Sequence, residues 1–279
     1  MIAKPHISPS QIEMLAKCAE QYRRRYICRE IIPPGIALLV GTGYHRGAEH
    51  NFRQTIESHA DLPSSEIIEA AVAGFETEQA GGYMLSTEED SRGAGIVLGE
   101  AKDQVAALAG VHAKEQAPDY QPVAVEHTTR IIFPDATHDM LGVTDLRDDQ
   151  RRVVDFKTAA KKKPQSEADT SLQLTVYAAA HQIDTGEPCA ECRLDTVTKT
   201  KTPARQVLTT TRGEADYRVL LSRVNAMIGA LGAYKQAGID IWPGAPIGAW
   251  WCGERFCGFA RTCPHFNSER KAAAVTSEE

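Results

Sequence analysis

Hydrophobic positions along this 279-residue chain change their period partway through. Up to about residue 115 the apolar side chains recur at helical spacing. Ser8-Pro9-Ser10-Gln11 opens the first helix, with Ser8 as N-cap, Pro9 at the first helical position and Gln11 in the capping-box place. Ile12, Leu15, Ala16 and Ala19 form its apolar stripe, which runs on towards Cys28 until Pro33-Pro34-Gly35 ends the unit. Further helices are predicted over 38–59, where Gly41 and Gly43 weaken the first turn, over 65–79 and over 95–114. Gly81-Gly82 and residues 86–92 read as an exposed loop. From Val123 the period falls to two, and 123–133, 138–146 and 152–158 predict three consecutive strands. After Lys161-Lys162-Lys163-Pro164 come a helix over 171–183, strands near 192–199 and 206–211, and a long amphipathic helix over 214–236. This order predicts an α/β protein with a mixed sheet, without internal repeats.

Composition changes this picture little. Hydrophobic content of 42% and charged content of 24% are ordinary for a globular protein. The longest apolar runs are too short for a bilayer, and Met1-Ile2-Ala3-Lys4-Pro5-His6 lacks a signal-peptide apolar core, so no membrane partner and a cytoplasmic location are expected. A net charge of -6 argues against indiscriminate adhesion to nucleic acid but leaves room for a local basic groove. Seven cysteines without a secretory signal speak against a disulfide framework. Three of them crowd the C-terminus as Cys252, Cys257 and Cys263.

The candidate chemistry sits in the strands. In Val153-Val154-Asp155-Phe156-Lys157-Thr158 an apolar run acquires an acid and a lysine that share one face, while Phe156 points to the other. Both charges are costly there unless paired or bound. With Asp145, in Gly142-Val143-Thr144-Asp145, they suggest a hard-metal site for Mg²⁺ or Mn²⁺ with a lysine beside it, suited to phosphodiester chemistry. A plain hairpin centred on Asp148-Asp149 pairs Asp145 with Arg152, so a bulge or strong twist is needed to bring both acids to one metal. Gln173 and Tyr177 lie one turn apart on a helix, where the glutamine either orients the lysine, touches DNA or makes a simple interhelical hydrogen bond. His45, early in its helix, is by itself more often a structural group than a ligand. Cys189-Ala-Glu-Cys192 has no second pair to complete a zinc site, and chance placement is the better reading for it and for Cys28. Two basic patches, Tyr22-Arg23-Arg24-Arg25-Tyr26 with Arg29, and Lys161-Lys162-Lys163, suit phosphate contact and base stacking, so Arg23, Arg24 and the three lysines are expected at DNA.

Taken in order, Cys18, the Gly43–His45 segment, Glu126, Gly142-x-x-Asp145, Asp155-Phe-Lys157-Thr, Gln173-x-x-x-Tyr177 and the last three cysteines resemble the RecB-type nucleases of the PD-(D/E)xK superfamily. The resemblance is to the iron–sulfur-bearing branch seen in phage exonucleases and CRISPR-adaptation nucleases, and it spans Cys18 to Cys263. It implies a restriction-endonuclease-like core, with a mixed central sheet flanked by helices, an N-terminal helical part and a Cys-rich C-terminal tail. His45, Asp145 and Asp155 are then metal ligands, Lys157 the catalytic lysine, Gln173 and Tyr177 its supporting helix motif, and Glu126 an accessory acid. Thr144 stands where the superfamily name has proline. Cys18, Cys252, Cys257 and Cys263 are implied to bind a [4Fe–4S] cluster; four thiolates also suit Zn²⁺, but their spacing is not that of paired CxxC turns, and iron–sulfur is favoured.

The expected layout is a single nuclease domain over 1–267. Within it, 1–115 is mainly helical and carries Cys18 and His45, 120–212 is the sheet core, and 213–267 holds a helix and the cysteines; 268–279 is expected as a disordered tail. The function implied is a metal-dependent DNA exonuclease on single-stranded or end-processed DNA in recombination, repair or phage DNA metabolism, leaving a 5′-phosphate. Its partner is DNA, with a recombinase, helicase or other DNA-processing protein as a further candidate. Two alternatives stay open: a catalytically inactive DNA-binding module, against which the complete set of acids and lysine argues, and a zinc-stapled interaction protein whose acids are mere ion pairs.

Overall fold

The computed structural model describes residues 4–134, 136–254 and 256–266; the expected tail over 268–279 lies outside them. In chain order the elements are β1 (His6–Ile7), α1 (Pro9–Lys17), α2 (Ala19–Tyr22) and a π-helical turn (Arg23–Ile27). Next come α3 (Ile36–Ser58), α4 (Ser64–Ala80), α5 (Thr87–Arg92) and α6 (Ala94–Val111). The sheet follows with β2 (Pro122–Ile131), β3 (Asp139–Asp148) and β4 (Arg152–Ala159), then α7 (Gln165–Asp169), α8 (Leu172–Thr185), β5 (Glu191–Thr198), β6 (Arg205–Thr210) and α9 (Glu214–Ala237). The chain divides into two compact units, one of residues 1–9 and 34–222, the other of residues 10–33 and 223–279. Cys18 and the C-terminal cysteines therefore share a unit, and His45 belongs to the other.

In the larger unit a mixed six-stranded sheet runs β1-β3-β4-β5-β6, with β2 on the other edge of β3. Side chains alternate across it. Val154 and Phe156 join Leu39, Tyr44, Phe52 and Val105 of the helices in one core, while Val153 packs with Leu174, Tyr177 and Cys192 in another. The α3–α4 contact is close because a Cβ at Gly43 would meet Ala71 O at 2.9 Å and one at Gly47 would meet Ala71 Cβ at 2.7 Å. The glycine expected to weaken α3 is thus required by its partner helix, and α3 runs unbroken from Ile36.

The β3–β4 hairpin departs from the expected register. Leu146 pairs with Val154 and Arg147 with Val153, so the turn takes in residues 149–151, with Arg151 left-handed at φ 59°. The longer turn brings Asp145 level with Asp155 without a bulge. Beyond these two pairs the strands diverge, leaving the Phe156 N–H free to donate to the Asp145 side chain at 2.9 Å. The loop expected over 86–92 is instead the short helix α5, closed by a capping box between Ser86 and Glu89. β1 and α7 were too short to show in the sequence pattern.

In the smaller unit the first helix stops at Cys18 rather than continuing towards Cys28. Cys18 is extended (φ -164°, ψ 104°) and caps α2, its Sγ accepting from Gln21 N at 3.4 Å. Arg24 is buried behind that cap. Its guanidinium donates to Glu30, to Phe259 O at 3.2 Å and to Thr262 Oγ1 at 2.7 Å, and lies 4.6 Å over the Phe259 ring.

Candidate active site and cysteine pocket

Five elements of the larger unit, β2, β3, β4, α3 and α8, converge where β3 and β4 part. Asp145 is held at both oxygens: Oδ2 accepts from Phe156 N and Oδ1 from the Tyr177 hydroxyl, each at 2.9 Å. Tyr177 accepts in turn from Gln173 Nε2 at 2.6 Å, and Gln173 Oε1 accepts from Lys157 Nζ at 3.2 Å. Lys157 also donates to Asp155 Oδ1 at 2.7 Å, so lysine, glutamine, tyrosine and both aspartates form one connected chain. α8 can approach β3 closely enough because residue 142 is glycine; a Cβ there would meet Val176 Cγ1 at 2.8 Å.

Across the ladder from Asp145, between the pairs Val125–Leu146 and His127–Thr144, stands Glu126. Its φ of 48° is strained for glutamate, a cost that marks a constrained position. From α3, His45 brings Nδ1 to 3.9 Å from Asp145 Oδ2. His45, Glu126 and Asp145 each offer a ligand atom within 4.8 Å of the others. Of the ligands that the family resemblance implies, His45 and Asp145 fall in this compact donor triple, which also takes in the accessory acid Glu126, while Asp155 is engaged by Lys157 beside it.

The electrostatics suit the binding of a cation. Burial, then the negative charges of Asp145 and Glu49, push Glu126 up to about 7. Burial also raises Asp145 and Asp155, with Lys157 opposing in both. Burial and the Lys157 ammonium lower His45 to about 4, which keeps the imidazole neutral and its lone pair available. Crowded carboxylates that resist ionisation, beside a neutral imidazole, are relieved by a divalent cation.

The surrounding cleft is also lined by Arg46, Glu49, Thr158 and Lys199, none singled out in the sequence. Glu49 could have been found: it stands one turn after His45 on the same helix face. Lys199 carries no sequence signal of its own. The lysines Lys161, Lys162 and Lys163 follow β4 but do not line the cleft; Lys163 Nζ lies 3.6 Å from Glu167, and the other two are exposed. Arg23 is tied to Glu20 at 2.7 Å. Arg24, expected at DNA, has its donors committed inside the protein, and its burial removes it from a phosphate-binding surface.

Within the smaller unit Cys18, Cys252, Cys257 and Cys263 line one largely apolar pocket with Arg24, Phe259 and Ala260. Burial raises the thiols of Cys18 and Cys257, and Cys263 adds to both. Cys28 stands apart, exposed, accepting from Arg23 Nη1 at 3.0 Å. In the larger unit Cys189 and Cys192 face each other at 3.8 Å.

Among the described residues no helix is long and apolar enough to cross a membrane. No curated protein matches the sequence. Among solved structures, a crystal structure from Eubacterium rectale, named as a candidate exonuclease, is 15% identical and superposes with a TM-score of 0.53 over 88% of this chain and 86% of that one. The structure of SSO0001, 14% identical and covering 91% and 95%, reaches a TM-score of only 0.34, too low to relate the folds. The family model of the PD-(D/E)XK nuclease superfamily matches residues 6–264. With that match over nearly its whole length and a helix-flanked mixed sheet presenting these acids, the chain belongs to the PD-(D/E)XK nuclease superfamily.

Proposed function

We propose that the protein is a divalent-metal-dependent DNA exonuclease of the RecB-type branch, with a [4Fe–4S] cluster in the smaller unit. The observation that carries the nuclease reading is the meeting of His45, Glu126 and Asp145 within 4.8 Å, beside a lysine held by Asp155 and Gln173. Oxygen donors with one imidazole suit Mg²⁺ or Mn²⁺. His45, Glu126 and Asp145 would hold the ion, with Asp155 adjoining. The ion supplies charge neutralisation at the scissile phosphate and lowers the pKa of the attacking water.

The remaining work falls to side chains. Tyr177 and the Phe156 N–H fix both oxygens of Asp145, so the carboxylate does not rotate as the substrate arrives. Gln173 and Asp155 hold the Lys157 ammonium towards the cleft, where it orients the water and offsets negative charge on the phosphate oxygens. Neutral His45 takes no proton at pH 7 and leaves its nitrogen to a ligand. Cleavage of end-labelled single- and double-stranded DNA, with each terminus free or blocked, tests the reading. Wild type should degrade free ends in Mg²⁺ or Mn²⁺ and spare closed circles, and Lys157→Ala should be far slower. Equal rates for the two proteins would end the nuclease reading, and cutting of circles would end the exonuclease one.

For the cysteine pocket two metals compete for the same donor set. Four thiolates around one Zn²⁺ stand about 3.8 Å apart in tetrahedral geometry. Cys18, Cys252, Cys257 and Cys263 lack the paired CxxC turns usual for zinc, and their shared, largely apolar pocket suits the larger iron–sulfur cluster. The buried Arg24 guanidinium offsets the negative charge such thiolates bring. Anaerobically purified protein should be brown, with absorbance near ~400 nm. A colourless protein with one equivalent of zinc would replace the cluster with a zinc staple.

A further inference from the structure

We infer that Lys199 is a second phosphate-binding residue of the cleft, receiving the non-bridging oxygens of a phosphodiester next to the one cleaved. The inference rests on the nuclease reading above.

Lys199 follows directly on β5, where its backbone N–H donates to Ala159 O at 2.7 Å and prolongs the β4–β5 ladder past its last pair, Ala159–Thr198. That ladder also carries Lys157, so both lysines are set by the same pair of parallel strands. Lys199 lines the cleft that His45, Glu126, Asp145 and Lys157 line. Its backbone is fixed, and only its side chain has freedom.

What sets Lys199 apart is the lack of a side-chain partner among the described residues. Other sheltered cations of the larger unit have acceptors: Arg147 has Asp184, Arg152 has Asp148, Arg205 has Asp195 and Lys157 has Asp155, while Lys4 and Arg212 donate to backbone carbonyls. Arg46, which shares the cleft, is tied to Glu49 at 2.8 Å. The half-buried Lys199 side chain meets no acceptor among the described residues. Burial alone pulls its ammonium below the usual lysine range, with no acid opposing. Sheltering an ammonium without a counter-ion costs free energy, and a protein with 37 acidic residues had ample means to supply one. A phosphodiester entering the cleft supplies that charge. Lys157 is already held by Asp155 and Gln173 at the reacting position, so Lys199 is left for a neighbouring phosphate. A lysine meets phosphate as a point charge, indifferent to base identity.

The test is binding of a fluorescent single-stranded oligonucleotide by anisotropy with Ca²⁺ in place of Mg²⁺, at several salt concentrations. Lys199→Met keeps the aliphatic stem and removes the charge. Affinity should fall about tenfold, as for one charge-assisted contact, and the slope of log affinity against log salt should shrink by about 0.7. Lys199→Arg should restore both. In cleavage with Mg²⁺ the loss should fall on KM, with kcat nearly kept. The melting temperature of Lys199→Met should match or exceed that of wild type, since an unpaired ammonium has left a sheltered place. Unchanged affinity and salt slope in Lys199→Met would overturn the inference, and so would a lowered melting temperature with unchanged affinity, the mark of a structural lysine. Either result leaves the nuclease reading standing, because that reading falls only if Lys157→Ala cleaves at the wild-type rate.

Discussion

The acidic cleft of the larger unit and the cysteine pocket of the smaller one solve opposite problems. In the cleft, carboxylates are crowded, partly dehydrated and pushed upward in pKa, so the protein stores repulsion that a hard cation relieves. The pocket is largely apolar, its Cys18 and Cys257 thiols are raised by burial, and the buried Arg24 brings a positive charge to its lining. Oxygen and imidazole suit an exchangeable hard ion, and thiolates in an apolar setting suit a soft, permanent one. If, as proposed, one site reacts and the other holds, mutations should separate rate from stability. All three tryptophans, Trp242, Trp250 and Trp251, belong to the smaller unit, and tryptophan fluorescence therefore reads that unit alone.

The largest expected effect is on rate. Lys157→Ala should lower cleavage of labelled DNA by about 10²–10⁴-fold, the usual worth of a positioned proton-handling or charge-stabilising group. Its tryptophan-monitored melting should not move. A matching drop in melting would mean that Lys157 acts through folding, and the division of labour would be lost.

Cys263→Ser should do the reverse. Absorbance near ~400 nm should vanish and the tryptophan transition should fall by about 10 °C or more, because binding energy of a metal centre is folding energy. Cys18→Ala should behave alike. Cleavage per folded molecule should persist in both. Intact melting in either mutant would remove the stapling role.

Arg24 sharpens the contrast, because the sequence placed it with DNA. Arg24→Met should cost about 2–3 kcal/mol through its lost charged hydrogen bonds and leave oligonucleotide affinity unchanged. Weaker DNA binding with unchanged melting would restore the sequence expectation.

What could be read in advance follows from which physical signals sequence carries. Asp155 and Lys157 were legible because two charges interrupt a period-two apolar strand, and Gln173 and Tyr177 because helical spacing stacks them. The helix–sheet order came from the same periodicities. The hairpin register was not legible: Arg151 adopts the left-handed region without being glycine, so the three-residue turn left no mark. Glu126 is likewise left-handed inside a strand, and its entry into the donor triple depends on that twist. Cys18 breaks its helix as an N-cap, a position that Ser, Thr, Asp or Asn would have announced. Arg24 sits in a run of three arginines whose neighbours resemble a solvated face, and only the tertiary contacts of Phe259 and Thr262 show otherwise.

Within the cleft, Tyr177→Phe isolates the fixing of Asp145. The mutant keeps the ring in its core but removes the 2.9 Å bond to Oδ1 and the acceptor for Gln173. Cleavage should fall about tenfold with little change in melting, as for loss of one hydrogen bond to a charged group. A rate unchanged within twofold would assign the tyrosine to packing alone.

The smallest effect separates the units by pH. Glu20 is buried in the smaller unit, and burial by itself would raise its carboxyl. The Arg23 fork and the Trp242 N–H, which donates at 2.8 Å, outweigh burial and hold it below the usual glutamate range. A carboxyl with a depressed folded pKa contributes stability that is present above its unfolded value and disappears as pH falls through the folded one. Glu20→Gln should therefore weaken the tryptophan-monitored transition by about 1–2 kcal/mol at pH 7, and the gap to wild type should close as pH drops below the ordinary glutamate range. Comparing the two melting curves at pH 7, 5 and 3.5 checks the sign. A gap that widens in acid would show that Glu20 is held protonated, and the smaller unit would then owe nothing to that ion pair.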